Sequence, residues 1–181
     1  MFLRLAGCSI GCAQCDTDYS VASRMTAEEA AHRAYDALPV DEAGNVPADR
    51  WAWVTGGEPY DRDLTKLFEA LRDKGFRIAV ATSGKHACIA PVDWLSVSPH
   101  GGRLLQSYGH ELKLVVGLNA LDPFEWVKQH PETRFMYRYV QPVTRADGSE
   151  DPESLARCLE FLAVNPSWAL SRQDHVRWGV K

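Results

Sequence analysis

The sequence predicts an α/β fold, a partial (incomplete) parallel β/α barrel of about six strands. Short apolar runs alternate with helix-forming segments along the chain, and that order implies a mostly parallel sheet. The unusual loops follow the carboxyl ends of those runs, where parallel α/β folds place their sites. With about six strands and few helices, the chain falls short of a closed eightfold barrel.

Residues 2–6 read as the first strand, and the polar loop after it holds Cys8, Cys12 and Cys15. A helix starts behind Thr26, because Thr26 and Glu29 stand at capping-box spacing and residues 27–38 are good helix formers. Residues 41–49 are a polar loop containing Gly44 and Pro47. Residues 51–55 form a strand that stops at Gly56-Gly57-Glu58-Pro59. Residues 64–74 carry a helical apolar period, closed by Gly75. Strands follow over residues 76–82, ended by Ser83-Gly84, over 94–98, ended by Pro99, and over 111–116. Residues 123–129 form a short helix, and 134–140 a strand stopped by Gln141-Pro142. The last helix covers 153–163 with Asp151 as its cap. A tail strand near residues 168–170 closes the edge, and the chain shows no repeats or low-complexity tracts.

A length of 181 residues, at about 150 residues per domain, gives a single domain over residues 1–181. The net charge of -4 excludes a general attraction to nucleic acid or to an anionic membrane. No apolar run approaches the roughly twenty residues that span a bilayer. The stretch before Arg4 is too short for the apolar region of a signal peptide. Five cysteines are an odd count, with three clustered and Cys88 and Cys158 far off. That is a metal-binding pattern of the reducing cytosol, not a disulfide framework.

Three thiolates are one short of a closed tetrahedral zinc site. They suit three irons of a cubane [4Fe–4S] cluster and leave the fourth iron open to a small molecule. Zinc with a distant fourth ligand, such as His86 or His110, is the alternative. Three free thiols within one polar turn are hard to explain by packing alone. The other loops are weaker signals taken singly. Thr55-Gly56-Gly57-Glu58-Pro59 has turn composition, yet its glycines would let a ligand approach backbone amides, and Glu58 could accept a bond from an ammonium.

Arg4 follows from strand alternation. Leu3 and Leu5 point one way, and Phe2, Arg4 and Ala6 the other. If the leucines face the helices, Arg4 points inward, where a charge needs a partner. A substrate carboxylate would serve through a bidentate pair. The alternative is an edge strand with Arg4 in solvent. Lys113 alternates with Leu112 and Leu114 in the same way.

The motifs that carry a family resemblance run in order along nearly the whole chain: Phe2-Leu3-Arg4-Leu5-Ala6-Gly7-Cys8, Cys15-Asp16-Thr17-Asp18-Tyr19, Thr55-Gly56-Gly57-Glu58-Pro59, Thr82-Ser83-Gly84, Val97-Ser98-Pro99, Glu111-Leu112-Lys113-Leu114 and Gln141-Pro142. On them the chain resembles the 7-carboxy-7-deazaguanine synthase family of radical S-adenosylmethionine (SAM) enzymes, of the queuosine and deazapurine pathway. The resemblance implies the radical SAM type of partial barrel and a set of residue roles. Cys8, Cys12 and Cys15 would hold a [4Fe–4S] cluster whose open iron chelates the amino and carboxylate groups of SAM. Gln14, Cys15, Asp16, Gly57, Ser98, Pro99, His100, Gln141, Pro142, Val143 and Thr144 would lie against SAM, with Glu58 and Ser83 as polar contacts. Thr17 would ligate Mg²⁺; read without the resemblance, it is an ordinary turn residue. Arg4, Thr55 and Lys181 would contact substrate.

The implied reaction contracts the ring of 6-carboxy-5,6,7,8-tetrahydropterin to 7-carboxy-7-deazaguanine with loss of ammonia. A flavodoxin-like donor would supply the electron, and SAM cleavage would give a 5′-deoxyadenosyl radical. No catalytic side chain is implied beyond cluster and SAM. The resemblance further implies a cytoplasmic homodimer with no direct nucleic-acid or membrane partner. The alternatives are a radical SAM activase that makes a glycyl radical on a partner protein, and a non-enzymatic metal-binding module. Three departures shape the expectations. Family members carry a Gln-Gly-Glu element before the first strand, and this sequence starts at Met1-Phe2, so SAM binding is expected near normal and pterin binding weaker. His100 stands where lysine is usual and is expected to weaken a SAM contact at high pH. The tail over residues 171–181 matches the family only loosely.

Overall fold

The structure is a computed structural model and describes residues 1–12, 15, 18, 20–101, 103–145, 147–174 and 178–179. Its elements in chain order are β1 (Phe2–Leu5), α1 (Ala27–Asp36), β2 (Trp51–Gly56), α2 (Thr65–Asp73), β3 (Arg77–Thr82), β4 (Trp94–Val97), β5 (Tyr108–Val116), α3 (Pro123–Gln129), β6 (Arg134–Pro142), α4 (Pro152–Val164) and β7 (Ala169–Leu170). Short 3₁₀ turns cover Pro59–Asp61 and Leu118–Ala120. The strands form an open sheet in chain order, β1-β2-β3-β4-β5-β6-β7. The registered pairs β1–β2, β2–β3, β4–β5, β5–β6 and β6–β7 are all parallel. This is the α/β partial-barrel class, and the tail strand makes the seventh strand. Among the described residues no helix is long and apolar enough to cross a membrane.

The chain divides into two compact units. The first holds Met1–Gly11, Cys15–Thr82 and His86–Leu95. Its first helix starts as the sequence demands. Thr26 Oγ1 accepts from Glu29 N at 3.1 Å, and Glu29 Oε2 accepts from Thr26 N at 2.7 Å, which completes the capping box. α2 presents the buried stripe Leu67, Phe68 and Leu71 toward the strands. Val54, Ile78 and Val80 are fully buried on the sheet face that meets it. Each such side chain contributes about 1.5–3 kcal/mol when removed from water. Register places Leu3 beside Val54 on this covered face, and Phe2 beside Trp53 and Arg4 beside Thr55 on the other.

The second unit holds Cys12–Gln14, Ser83–Lys85 and Ser96–Lys181. In β5, Leu112 and Leu114 are fully buried while Glu111 and Lys113 point to the opposite face, where Lys113 Nζ stands 4.0 Å from Glu111 Oε1. β5 begins at Tyr108, three residues before the expected start, because Tyr108 already pairs with Arg134. β6 runs two residues past its expected end, through Gln141 to Pro142. α4 starts at Pro152, and its cap Asp151 accepts from Ser154 N at 3.0 Å. Ser154 Oγ donates to Val116 O at 2.7 Å and accepts from Val143 N at 2.9 Å, so one buried hydroxyl ties α4 to the carboxyl ends of β5 and β6. Phe161 packs edge-on against Phe124 and Trp168, with ring centroids at 5.1 and 5.2 Å.

Candidate active site

In the first unit the loops at the carboxyl ends of β1, β2 and β3 interlock. Gly57 N donates to Leu5 O at 2.8 Å. A Cβ at Gly57 would lie 1.6 Å from Gly7 O and 3.1 Å from Cys8 Cβ, so only glycine lets the β2 loop sit against the start of the cysteine loop. Gly56 has a φ of +116°, a region closed to ordinary side chains. Arg62 reaches across and donates from Nη2 to Ala6 O.

Asp61 completes the clamp. Its Oδ2 accepts from Ser9 N at 2.7 Å, and its Oδ1 accepts from Ser9 Oγ at 2.5 Å. His86 Nε2 lies 3.1 Å from Oδ1. Burial pushes the Asp61 carboxyl up, but the bonds from Ser9 and His86 outweigh it and hold it below the usual carboxylate range. The residue next to Cys8 is thus fixed by a carboxylate 52 positions away.

Glu58 is buried, and its Oε1 accepts from Thr82 Oγ1 at 2.6 Å and from Tyr60 N at 3.1 Å. A buried carboxylate needs such donors. The Tyr60 hydroxyl lies 2.7 Å from Cys88 Sγ, and burial together with that thiol raises its pKa. Arg4 is exposed on strand β1 at the sheet edge, beside Thr55 and on the face opposite Leu3 and Leu5. The face is the one alternation gives, and the guanidinium reaches solvent there.

In the second unit, a cavity of about 300 Å³ brings Ser83 and Pro99 together with Arg103, Asn119, Asp122 and Trp126. That volume is at the small end for ligand pockets. Ser83 Oγ accepts from Lys85 N at 3.3 Å. Ser98 and His100 are half-buried beside the buried Pro99. Asn119 Nδ2 donates to His100 O at 2.6 Å and to Cys12 Sγ at 3.7 Å. At the end of β6, Gln141 is buried and its Oε1 accepts from Ser171 Oγ at 3.2 Å. Pro142 is buried, Val143 lines a different cavity of about 430 Å³, and Thr144 bridges to Glu150. Gln14, Asp16, Thr17 and Lys181 lie outside the described residues.

The donor set fits an iron–sulfur cluster. Cys8, Cys12 and Cys15 form no disulfide, and Cys12 takes an N–H from an amide, a contact suited to a metal-bound thiolate. Among the described residues no three His, Cys, Asp or Glu side chains stand together as ligands of one ion; the thiolates of a cluster bind separate irons. His86, a candidate fourth zinc ligand, has its Nε2 3.1 Å from Asp61 Oδ1. Sequence reasoning missed Asp61, Arg62 and Asn119. Polar residues just behind a Gly-Gly-Glu turn were the available signal for the first two; Asn119 had none.

An open parallel α/β sheet whose first strand runs into a three-cysteine loop, clamped by a Gly-Gly-Glu turn, is the framework of a radical SAM enzyme. No protein-family model matches the chain. A 7-carboxy-7-deazaguanine synthase of Bradyrhizobium diazoefficiens is 33% identical over 196 aligned positions, covering 100% of this chain and 89% of the relative. One of Caulobacter vibrioides is 32% identical over 198, covering 99% and 89%. The crystal structure of QueE from Escherichia coli superimposes with a TM-score of 0.60 at 24% identity, covering 95% of this chain and 84% of that one, which supports the fold. The chain belongs to the 7-carboxy-7-deazaguanine synthase family and is an enzyme that acts on a small molecule.

Proposed function

We propose that this chain converts 6-carboxy-5,6,7,8-tetrahydropterin to 7-carboxy-7-deazaguanine with loss of ammonia, using one radical SAM domain over residues 1–181. The carrying observation is the clamp at the carboxyl end of β1. Gly57 abuts Gly7, and Asp61 holds Ser9, so the residues flanking Cys8 are held by the chain's own contacts. Cys8, Cys12 and Cys15 hold the [4Fe–4S] cluster in this reading. When bound, cluster and SAM together supply a radical able to take a hydrogen from the substrate.

The chain's own residues bind and orient. Gln14, Cys15, Asp16, Gly57, Glu58 and Ser83 serve SAM from the loops after β1, β2 and β3. Ser98, Pro99, His100 and the segment Gln141, Pro142, Val143, Thr144 serve it from the loops after β4 and β6. The cavity that Ser83 shares with Pro99 supports this grouping. Arg4 and Thr55 stand side by side on the uncovered face, and Arg4 offers the bidentate pair a carboxylate takes. Lys181 adds to substrate binding, and Thr17 holds Mg²⁺, which orients the substrate's oxygens. A flavodoxin-like donor, a homodimer and a cytoplasmic location complete the reading.

The test replaces Cys8, Cys12, Cys15 and Arg4 singly by Ala in reconstituted protein. The three cysteine variants should lose both the brown cluster absorption and SAM cleavage. Arg4→Ala should keep the cluster and SAM cleavage yet nearly lose product. Product formation by Arg4→Ala at the unaltered rate would remove Arg4 from the substrate site.

A further inference from the structure

The turn after β5 departs from ordinary backbone. Asn119 at φ 49° and Ala120 at φ 60° are the positive-φ non-glycine residues among those described. Such conformations persist where the surroundings over-determine them, and they concentrate at functional sites. Asparagine bears the left-handed region best among side-chain-bearing residues.

Backbone bonds close the turn, from Gly117 N to Leu121 O and from Ala120 N to Gly117 O, and its amide side chain ties it to residues beyond. Asn119 Nδ2 meets His100 O at 2.6 Å and Cys12 Sγ at 3.7 Å. An amide nitrogen carries two hydrogens, so both bonds form at once. One bond ends in the Ser98-Pro99-His100 loop and the other on the middle cysteine of the triplet. The left-handed backbone of Asn119 gives its side chain this reach, which ordinary helical continuation of the turn would redirect.

We propose that Asn119 is a positioning residue that ties Cys12 to the loop after β4 and tunes the cluster's reduction potential through its bond to the Cys12 sulfur. The inference rests on the reading of Cys8, Cys12 and Cys15 as cluster ligands. A hydrogen bond to a cluster sulfur favours the more negative, reduced state, and such bonds are among the levers that set iron–sulfur potentials. Removing the donor makes the cluster harder to reduce.

Two substitutions separate amide from backbone. Asn119→Gly keeps the left-handed conformation at no steric cost and deletes the amide. Asn119→Asp keeps the shape, deletes both donors and adds a negative charge near the sulfur. Ala120→Gly relaxes the neighbouring residue and leaves the amide in place. The full chain and each variant are reconstituted anaerobically with iron and sulfide. Iron content, apo-protein melting and the cluster's midpoint potential, from an EPR-monitored redox titration, are then measured. The expected result is a shift to more negative potential in Asn119→Gly, a larger shift in Asn119→Asp, and none in Ala120→Gly. An unmoved potential in both Asn119 variants, even with reduced iron content, overturns the inference and leaves Asn119 merely structural. An equal shift in Ala120→Gly overturns it as well. An unaltered chain that takes up no cluster defeats the cysteine reading itself, and the inference with it.

Discussion

Gly57→Ala should dislodge the cysteine loop. The new methyl would stand 1.6 Å from Gly7 O, a backbone atom that cannot rotate away. Reaching an ordinary contact of 3.4 Å requires the loop to retreat by about 2 Å. A shift of that size breaks the 2.8 Å bond from Gly57 N to Leu5 O and pulls Ser9 off Asp61, where its two bonds measure 2.7 and 2.5 Å. The backbone bond contributes about 1 kcal/mol, and the solvent-screened Ser9 bonds about 0.5–1 kcal/mol each. The total, roughly 2–3 kcal/mol, corresponds to a drop of about 4–12 °C in melting temperature for a chain of this size. Iron affinity should fall by roughly 10–100-fold, the usual effect of losing support around metal ligands. Circular dichroism melts of the apo-protein and iron retained after anaerobic desalting measure both. Unaltered melting together with full iron loading in Gly57→Ala would show that the β2 loop does not clamp the cysteine loop.

Further outcomes follow from the same geometry. Cys88→Ser and Cys158→Ser should keep the cluster absorption, and loss of iron in Cys88→Ser would break the three-cysteine assignment. Cys158 is fully buried and its thiol is pushed up to about 12, so it should resist alkylation by iodoacetamide at pH 8 in the folded chain; labelling detected by mass spectrometry would contradict that burial. The hydrogen bond from Arg157 holds the Asp122 carboxyl below its usual range. Its folded pKa lies below the unfolded one, so its contribution is present above the usual carboxylate range and is lost as pH falls through the lowered value. Melts between pH 7 and pH 3 should therefore show Asp122→Asn less acid-sensitive than the unaltered chain, by no more than about 1 kcal/mol for so exposed a pair. Activity should rise with added Mg²⁺, and Thr17→Ala should blunt the rise; equal activity in chelator would remove Mg²⁺ from the mechanism.

Much of the framework was legible because its signals are local. Thr26 and Glu29 announce α1 at capping-box spacing, and the bounds of α3 match the sequence reading at both ends. The alternation of Leu112, Lys113 and Leu114 gave the two faces of β5 correctly. The early start of β5 was not legible, because Tyr108-Gly109-His110 lacks an apolar pattern and becomes strand through pairing with β6. Glu58 reads as a ligand contact from its motif, while the fold also gives its carboxylate Thr82 and Tyr60. Nothing in the sequence pairs Asp61 with Ser9, since only the parallel register of β1 on β2 brings their loops together. Asn119 carries its information in a backbone conformation that residue type alone does not reveal.

Anaerobic incubation of the reconstituted chain with 6-carboxy-5,6,7,8-tetrahydropterin, SAM, Mg²⁺ and a low-potential reductant, followed by mass spectrometry, tests the central claim most directly. The expected result is 7-carboxy-7-deazaguanine, lighter than the substrate by one ammonia, appearing together with 5′-deoxyadenosine. 5′-Deoxyadenosine with the pterin left unconverted would contradict the claim in favour of an activase, and the absence of both products from a cluster-loaded chain would contradict it in favour of a binding module.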